Sequence, residues 1–161
     1  MESTILEKLP PQNLEAEMAV LGSMLIDAEA ISVASEILDK NSFYKNTHNK
    51  IFEAILELYN ANKPVDLVTL TDELKKSGSL NEVGGASFLT MLVNAVPTAA
   101  NINHYVSIVK EKSILRTLIN NATRIVSLCY ESEGNIDEVV DSAEKFIFEV
   151  SERKTQGSYL H

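Results

Sequence analysis

The chain has 161 residues, 45% hydrophobic and 23% charged, enough apolar material for a domain whose core needs no disulfide or metal to hold it. Its net charge is −9, with seven Lys and Arg against fourteen Asp and Glu in residues 1–100 and seven against nine in residues 101–161. An acidic chain is repelled by a polyanion, which argues against direct, tight nucleic-acid binding and for a protein partner with a basic or apolar surface. No stretch reaches the roughly 18 consecutive apolar residues of a membrane span. Residues Met1–Lys8 have no basic start before an apolar run, so no signal peptide is expected. A cytoplasmic location fits the single cysteine, Cys129, which the apolar flanks Val126 and Leu128 mark as a small buried hydrophobe.

The apolar pattern is helical almost throughout. Pro10-Pro11 makes an extended entry. Asn13 then caps a helix whose inner face is Leu14, Met18, Leu21 and Leu25, with Gly22 marking a close approach of another element. A short helix is predicted over Ile31–Leu38, and Phe43 and Tyr44 are core anchors in the loop after it. The next helix runs from about Thr47 to Ala61, turning Ile51, Phe52, Ile55 and Tyr59 inward. Asp66 caps a helix carrying Leu67, Leu70 and Leu74 that stops at Gly78. Gly84-Gly85 opens a further helix with Phe88, Leu89, Leu92 and Val96, closed by Pro97.

From Ala99 to Glu131 there is neither proline nor glycine, and a helix of that length would extend about 50 Å. Glu133-Gly134-Asn135 turns the chain, and a returning helix carries Val139, Val140, Ala143, Phe146, Ile147 and Val150. The fold class is therefore all-α: a compact multi-helix head over residues 1–97, a long antiparallel helical hairpin over 98–154, and the start of a linker over 155–161. The hairpin's apolar stripes are wider than a single two-helix seam, as the pairs Leu118/Ile119, Ile125/Val126, Val139/Val140 and Phe146/Ile147 indicate. Such a stripe calls for a second partner: the head, another protein or, as expected here, another hairpin. Leu118, Ala122, Val139, Val140, Phe146 and Ile147 are the residues expected to make that self-association.

Catalytic patterns are not found. The phosphate-cradling Gly-x-x-x-x-Gly-Lys-Ser/Thr string does not occur, and Gly78, Gly84 and Gly85 lack the lysine it needs. The histidines, His48, His104 and His161, belong to no metal-ligand spacing. No catalytic residue, cofactor or metal site is expected, and His48 reads as a partly buried structural residue near Tyr44 and Phe52. Glu15 and Glu17, two residues apart, point in different directions. A solvated first turn favoured by the helix dipole and an exposed contact at Glu15 for a basic partner both remain open.

Several strings, taken in order, resemble the N-terminal domain of DnaB-type bacterial replicative DNA helicases. They are Pro10-Pro11-Gln12-Asn13-Leu14-Glu15-Ala16-Glu17 with Val20-Leu21-Gly22, Phe43-Tyr44, His48, Ile51-Phe52, Pro64-Val65-Asp66-Leu67-Val68-Thr69-Leu70, Gly84-Gly85, and Pro97-Thr98-Ala99-Ala100-Asn101. Tyr105 with Ile108 through Lys112, Leu115-Arg116 and the stretch 149–157 continue the match. The resemblance implies a non-catalytic module that pairs through its hairpins into dimers, three of which form the collar of a hexameric ring. It also implies docking of the C-terminal domain of primase and an influence on helicase loading. ATP, Mg²⁺ and DNA unwinding belong to a C-terminal motor whose motifs are not among these residues. Positions implied for the primase contact are Glu15 and Phe88 on the head and Leu115, Ile119 and Ile125 on the hairpin. Phe88 stands where tyrosine is commoner in the family. A free-standing adaptor or inhibitor that mimics the collar is the alternative reading.

Overall fold

The computed structural model describes residues 8–156, which form seven α-helices and, among the described residues, no strand. They are α1 (Leu14–Ile26), α2 (Ala28–Ile37), α3 (Asn46–Asn60), α4 (Leu67–Lys76), α5 (Gly85–Val93), α6 (Ile102–Glu131) and α7 (Ile136–Gln156). The linker expected over 155–161 begins later than that, since α7 continues through Gln156; residues 157–161, His161 among them, lie outside the described residues.

Local chemistry explains most of the boundaries. The side chain of Asn13 accepts the Ala16 amide at 2.9 Å and starts α1. Asp27 serves two helices: its amide donates to Ser23 O at the end of α1, and its carboxylate accepts the Glu29 amide to start α2. This double cap starts α2 at Ala28, three residues before the predicted Ile31. Asp66 and Thr69 form a reciprocal capping box at α4, with both bonds at 2.9 Å. Gly84, at φ +114°, supplies the left-handed step into α5.

Two compact units emerge among the described residues: Asn13–Glu111 is the head, and residues 112–156 together with residues 8–12 are the hairpin unit. The division falls after Glu111 and not at the predicted 97/98. Ile102, Val106 and Val109, on the first turns of α6, are buried in the core of the head, so that core carries its boundary with it into the long helix.

Within the head, α1 is the central element and packs against α2, α3 and α5, while α4 bridges α3 and α5. From Ala19 to Leu25 every residue of α1 is buried, so this helix is enclosed rather than amphipathic. Leu14, predicted to point inward, is exposed at the open first turn of that helix. The loop after α2 buries Phe43 and leaves Tyr44 exposed, so only one of the two expected anchors is in the core. The carboxamide of Asn49 holds that loop by accepting the Phe43 amide and donating to the Phe43 carbonyl, each at 2.9 Å. On α3 the inner face is Ile51, Phe52, Ile55 and Leu58, and Tyr59 lies outside it.

Candidate functional site

Of the two head positions singled out from the sequence, Phe88 borders a buried polar knot, and Glu15 is exposed on the first turn of α1. The centre of the knot is Glu17, 1% exposed. One carboxylate oxygen accepts the Tyr44 amide at 2.7 Å; the other accepts the Lys45 amide at 3.4 Å and meets His48 Nδ1 at 2.7 Å. A carboxylate only accepts, so His48 Nδ1 carries the hydrogen in this contact. The imidazole stacks on the half-buried Phe88 ring at 6.0 Å between centroids and 9° between planes, and meets Phe43 edge-on at 6.5 Å. Burial of Glu17 corrects the expectation of a solvated first turn; of the two glutamates there, Glu15 alone is exposed. His48 is fully rather than partly buried, and its aromatic neighbours are Phe43 and Phe88. A readable signal existed: Glu17 stands one turn before Val20 and Leu21, on the inward side of a helix where a charge needs a partner. The identity of that partner, thirty-one residues away, had no signal in the pattern.

In the hairpin, α6 and α7 run antiparallel, as the pairs Ser113–Arg153 and Asn121–Phe146 require. Ser113 Oγ accepts from Arg153 Nη2 at 2.6 Å, and Arg116 Nη1 donates to Pro11 O at 2.8 Å. Midway, the buried Asn121 donates to the Phe146 carbonyl at 2.8 Å and to Glu149 Oε2 at 3.2 Å. Arg124 lies 4.0 Å from the centroid of the Phe146 ring and 3.8 Å from Glu149 Oε2. Asn121 falls between Leu118 and Ile125, where helical spacing would place an apolar residue. Replacing Asn121 with alanine is expected to lower stability by about 1 kcal/mol. Thermal unfolding followed by circular dichroism would show it, and an unchanged midpoint would mean the bond contributes nothing.

The remaining predicted residues divide between the seam and the surface. Ile125, Val139 and Phe146 are half-buried along the α6–α7 contact. Leu115, Leu118, Ile119, Ala122, Val140 and Ile147 are exposed. Cys129 is exposed, not buried: two helices cover only one side of each other, and the apolar flanks of Cys129 do not carry it into the covered side.

Among the described residues no group of three His, Cys, Asp or Glu side chains is arranged to hold a metal, and no helix is long and apolar enough to cross a membrane. The head presents the half-buried Phe88 ring stacked on His48, and the hairpin presents exposed apolar side chains.

Comparison with known proteins fits this arrangement. Residues 9–111 match the family model described as the DnaB-like helicase N-terminal domain. Over 159 residues, 99% of the chain, the sequence is 47% identical to the replicative DNA helicase DnaC of Bacillus subtilis strain 168. It is 48% identical over the same length to the replicative DNA helicase DnaB of Geobacillus stearothermophilus. The chain spans 35% of the length of each of these two relatives. The crystal structure of the N-terminal domain of DnaB helicase from Mycobacterium tuberculosis matches with a TM-score of 0.84 at 44% identity, covering 88% of this chain and 99% of that one. A DnaB-like replicative helicase, solved for its interactions with primase, shares the fold at a TM-score of 0.72 and 24% identity, covering 86% of this chain and 31% of that one. With helical head, hairpin and sequence matching together, this chain belongs to the DnaB-like helicase N-terminal domain family.

Proposed function

We propose that this chain is the collar and docking module of a replicative DNA helicase: its hairpins pair into dimers, and the assembled collar docks the C-terminal domain of primase. The observation that carries this reading is the second apolar stripe of the hairpin. Leu115, Leu118, Ile119, Ala122 and Val126 recur on α6 at three- and four-residue steps, outside the seam, and Val140 and Ile147 continue the stripe on α7. Ile119 is 48% exposed and Val126 is 54% exposed, and an uncharged stripe of this extent fits an interface between copies. Self-association through Leu118, Ala122, Val140 and Ile147, joined by the edges of Val139 and Phe146, leaves Ile119 and Leu115 for primase together with Ile125, Glu15 and Phe88. Docking would act by holding primase near the emerging single strand, which raises its effective concentration there. A helicase loader is a further partner of the same collar. The relative solved for its interactions with primase supports the choice of partner.

Calorimetric titration of the chain with the C-terminal domain of its cognate primase tests the docking. Saturable binding is expected, and Ile119→Asp should weaken it by about 2 kcal/mol or more, the range of a central apolar contact. A folded wild-type chain that binds no primase would remove the docking claim. Light scattering tests the self-association separately: a dimer or larger mass is expected for wild type and a lower mass for Leu118→Asp, and a monomer at high concentration would remove that claim.

A further inference from the structure

The outer face of α7 carries a feature that neither the seam nor the second stripe uses. Phe148 is 62% exposed. It lies two residues from both Phe146 and Val150, which face α6, so it stands on roughly the opposite side of the helix. Its neighbours along that side are Glu144 and Glu152, four residues before and after, and Asp141, seven before, all exposed. Asp137 extends the acidic row toward the start of the helix, and Lys145 stands beside it. Among the described residues, Asp141, Glu144 and Glu152 take part in no salt bridge. Phenylalanine is a poorer helix former than the Lys, Glu or Gln of an ordinary solvated face, and at this position it gains nothing from the core. An aromatic ring ringed by carboxylates is built for a partner that is apolar at its centre and basic around it.

We propose that the outer face of α7, centred on Phe148, docks a basic amphipathic helix of a partner protein. Apolar residues of that helix cover the ring, and its Lys or Arg side chains meet Asp141, Glu144 and Glu152. Charge decides between a foreign partner and a second copy. Two such faces brought together would set carboxylates against carboxylates, which like-charge repulsion opposes. The uncharged stripe of Leu118, Ala122, Val140 and Ile147 carries no such penalty, so self-pairing and this surface use different sides of the hairpin. A Lys or Arg placed over the Phe148 ring would add a cation–π contact. The inference is independent of the primase reading, since it rests on none of the residues assigned to that contact.

The test is a titration of the full chain with three synthetic peptides of about five helical turns. One is a Leu/Lys amphipathic helix, one has Glu in place of Lys, and one keeps the Leu/Lys composition with its leucines scattered. Only the first should bind saturably, and more weakly as salt rises. Phe148→Ala should weaken it at least about tenfold, as loss of a central aromatic contact does. The double variant Glu144→Gln/Glu152→Gln should weaken binding and flatten its salt dependence. Neither variant should change the mass measured by light scattering, and circular dichroism of each should match wild type, because all three side chains are exposed. Equal binding of the Glu peptide or of the scattered peptide, no binding of the first peptide, or unchanged affinity in Phe148→Ala would each overturn the proposal. So would a drop in assembly mass in Phe148→Ala, which would make this face part of the contact between copies.

Discussion

Replacing His48 with alanine is expected to lower the stability of the head by about 3–5 kcal/mol, the cost of removing one member of a buried, hydrogen-bonded pair. The imidazole is 1% exposed and lies 2.7 Å from Glu17 Oε1. Its loss leaves a carboxylate in the core with the Tyr44 and Lys45 amides as its donors. It also opens a cavity beside Phe88 and Phe43, whose rings flank the imidazole. Glu17→Gln should be milder, about 1–3 kcal/mol, because the amide keeps the shape and one acceptor oxygen while losing charge-assisted bonds. The two changes should be non-additive, since each removes the same contact. Urea unfolding read by circular dichroism gives both numbers: the midpoint should fall at unchanged slope. A loss under about 1 kcal/mol for His48→Ala would mean that the core relaxes around the vacancy and the knot is dispensable. The same variant connects stability to the proposed docking. At temperatures where it stays folded, Phe88 has lost its stacking partner, so the proposed primase binding through the head should weaken while an oligomeric mass set, as proposed, by the hairpin should stay constant.

How far such features could be read from the sequence depended on their range. Caps are local chemistry, and Asn13 and Asp66 were found because an N-cap bonds to an amide two or three residues ahead. The long α6 was legible from the lack of Pro and Gly. The start of α2 was misplaced because Asp27 both ends one helix and begins the next, leaving no gap between two apolar patterns. Inner faces were read well where a helix has one buried side, as at Ile51, Phe52 and Ile55. They were read badly where it has none or nearly all: α1 is enclosed from Ala19 to Leu25, so a single stripe could not describe it. Periodicity assigns a residue to a face and is silent on what stands across from it. That is why the break between units after Glu111, the exposure of Cys129 and the pairing of Glu17 with His48 all needed three dimensions. Of the candidate surface, the width of the hairpin's stripe was legible. Its division into seam, second stripe and the acidic face around Phe148 was not, because that division depends on the rotation of each helix about its own axis.

Gly22 offers a case in which sequence and structure give opposite signs for the same substitution. In an exposed helix, glycine to alanine stabilises by about 1 kcal/mol through helix propensity. At Gly22 a Cβ would overlap the carbonyl oxygen of Leu92 and come within 3.6 Å of Ala95 Cβ. The obstructing atom belongs to the backbone near the end of α5, so no rotamer change can relieve it; α1 and α5 must move apart. Overpacking of this kind costs about 1–3 kcal/mol or more. Gly22→Ala is therefore expected to be a net loss of about 1–2 kcal/mol, and Gly22→Val a larger one, since its branched carbon adds bulk at the point of overlap and lowers helix propensity. Gly134→Ala is the control: nothing lies within 4 Å of a Cβ there, and its effect should stay within about 0.5 kcal/mol. Thermal unfolding of the three variants would rank them. A stabilised Gly22→Ala would contradict the close approach of α1 and α5. A second-site change separates backbone overlap from ordinary crowding. Leu92→Ala alone removes a buried side chain and costs about 2–5 kcal/mol. If the Gly22 penalty came from side-chain crowding, Leu92→Ala would relieve it and the double variant would lose less than the sum of the two. With the Leu92 carbonyl as the obstacle, truncating the side chain leaves the obstacle in place, and the losses should add.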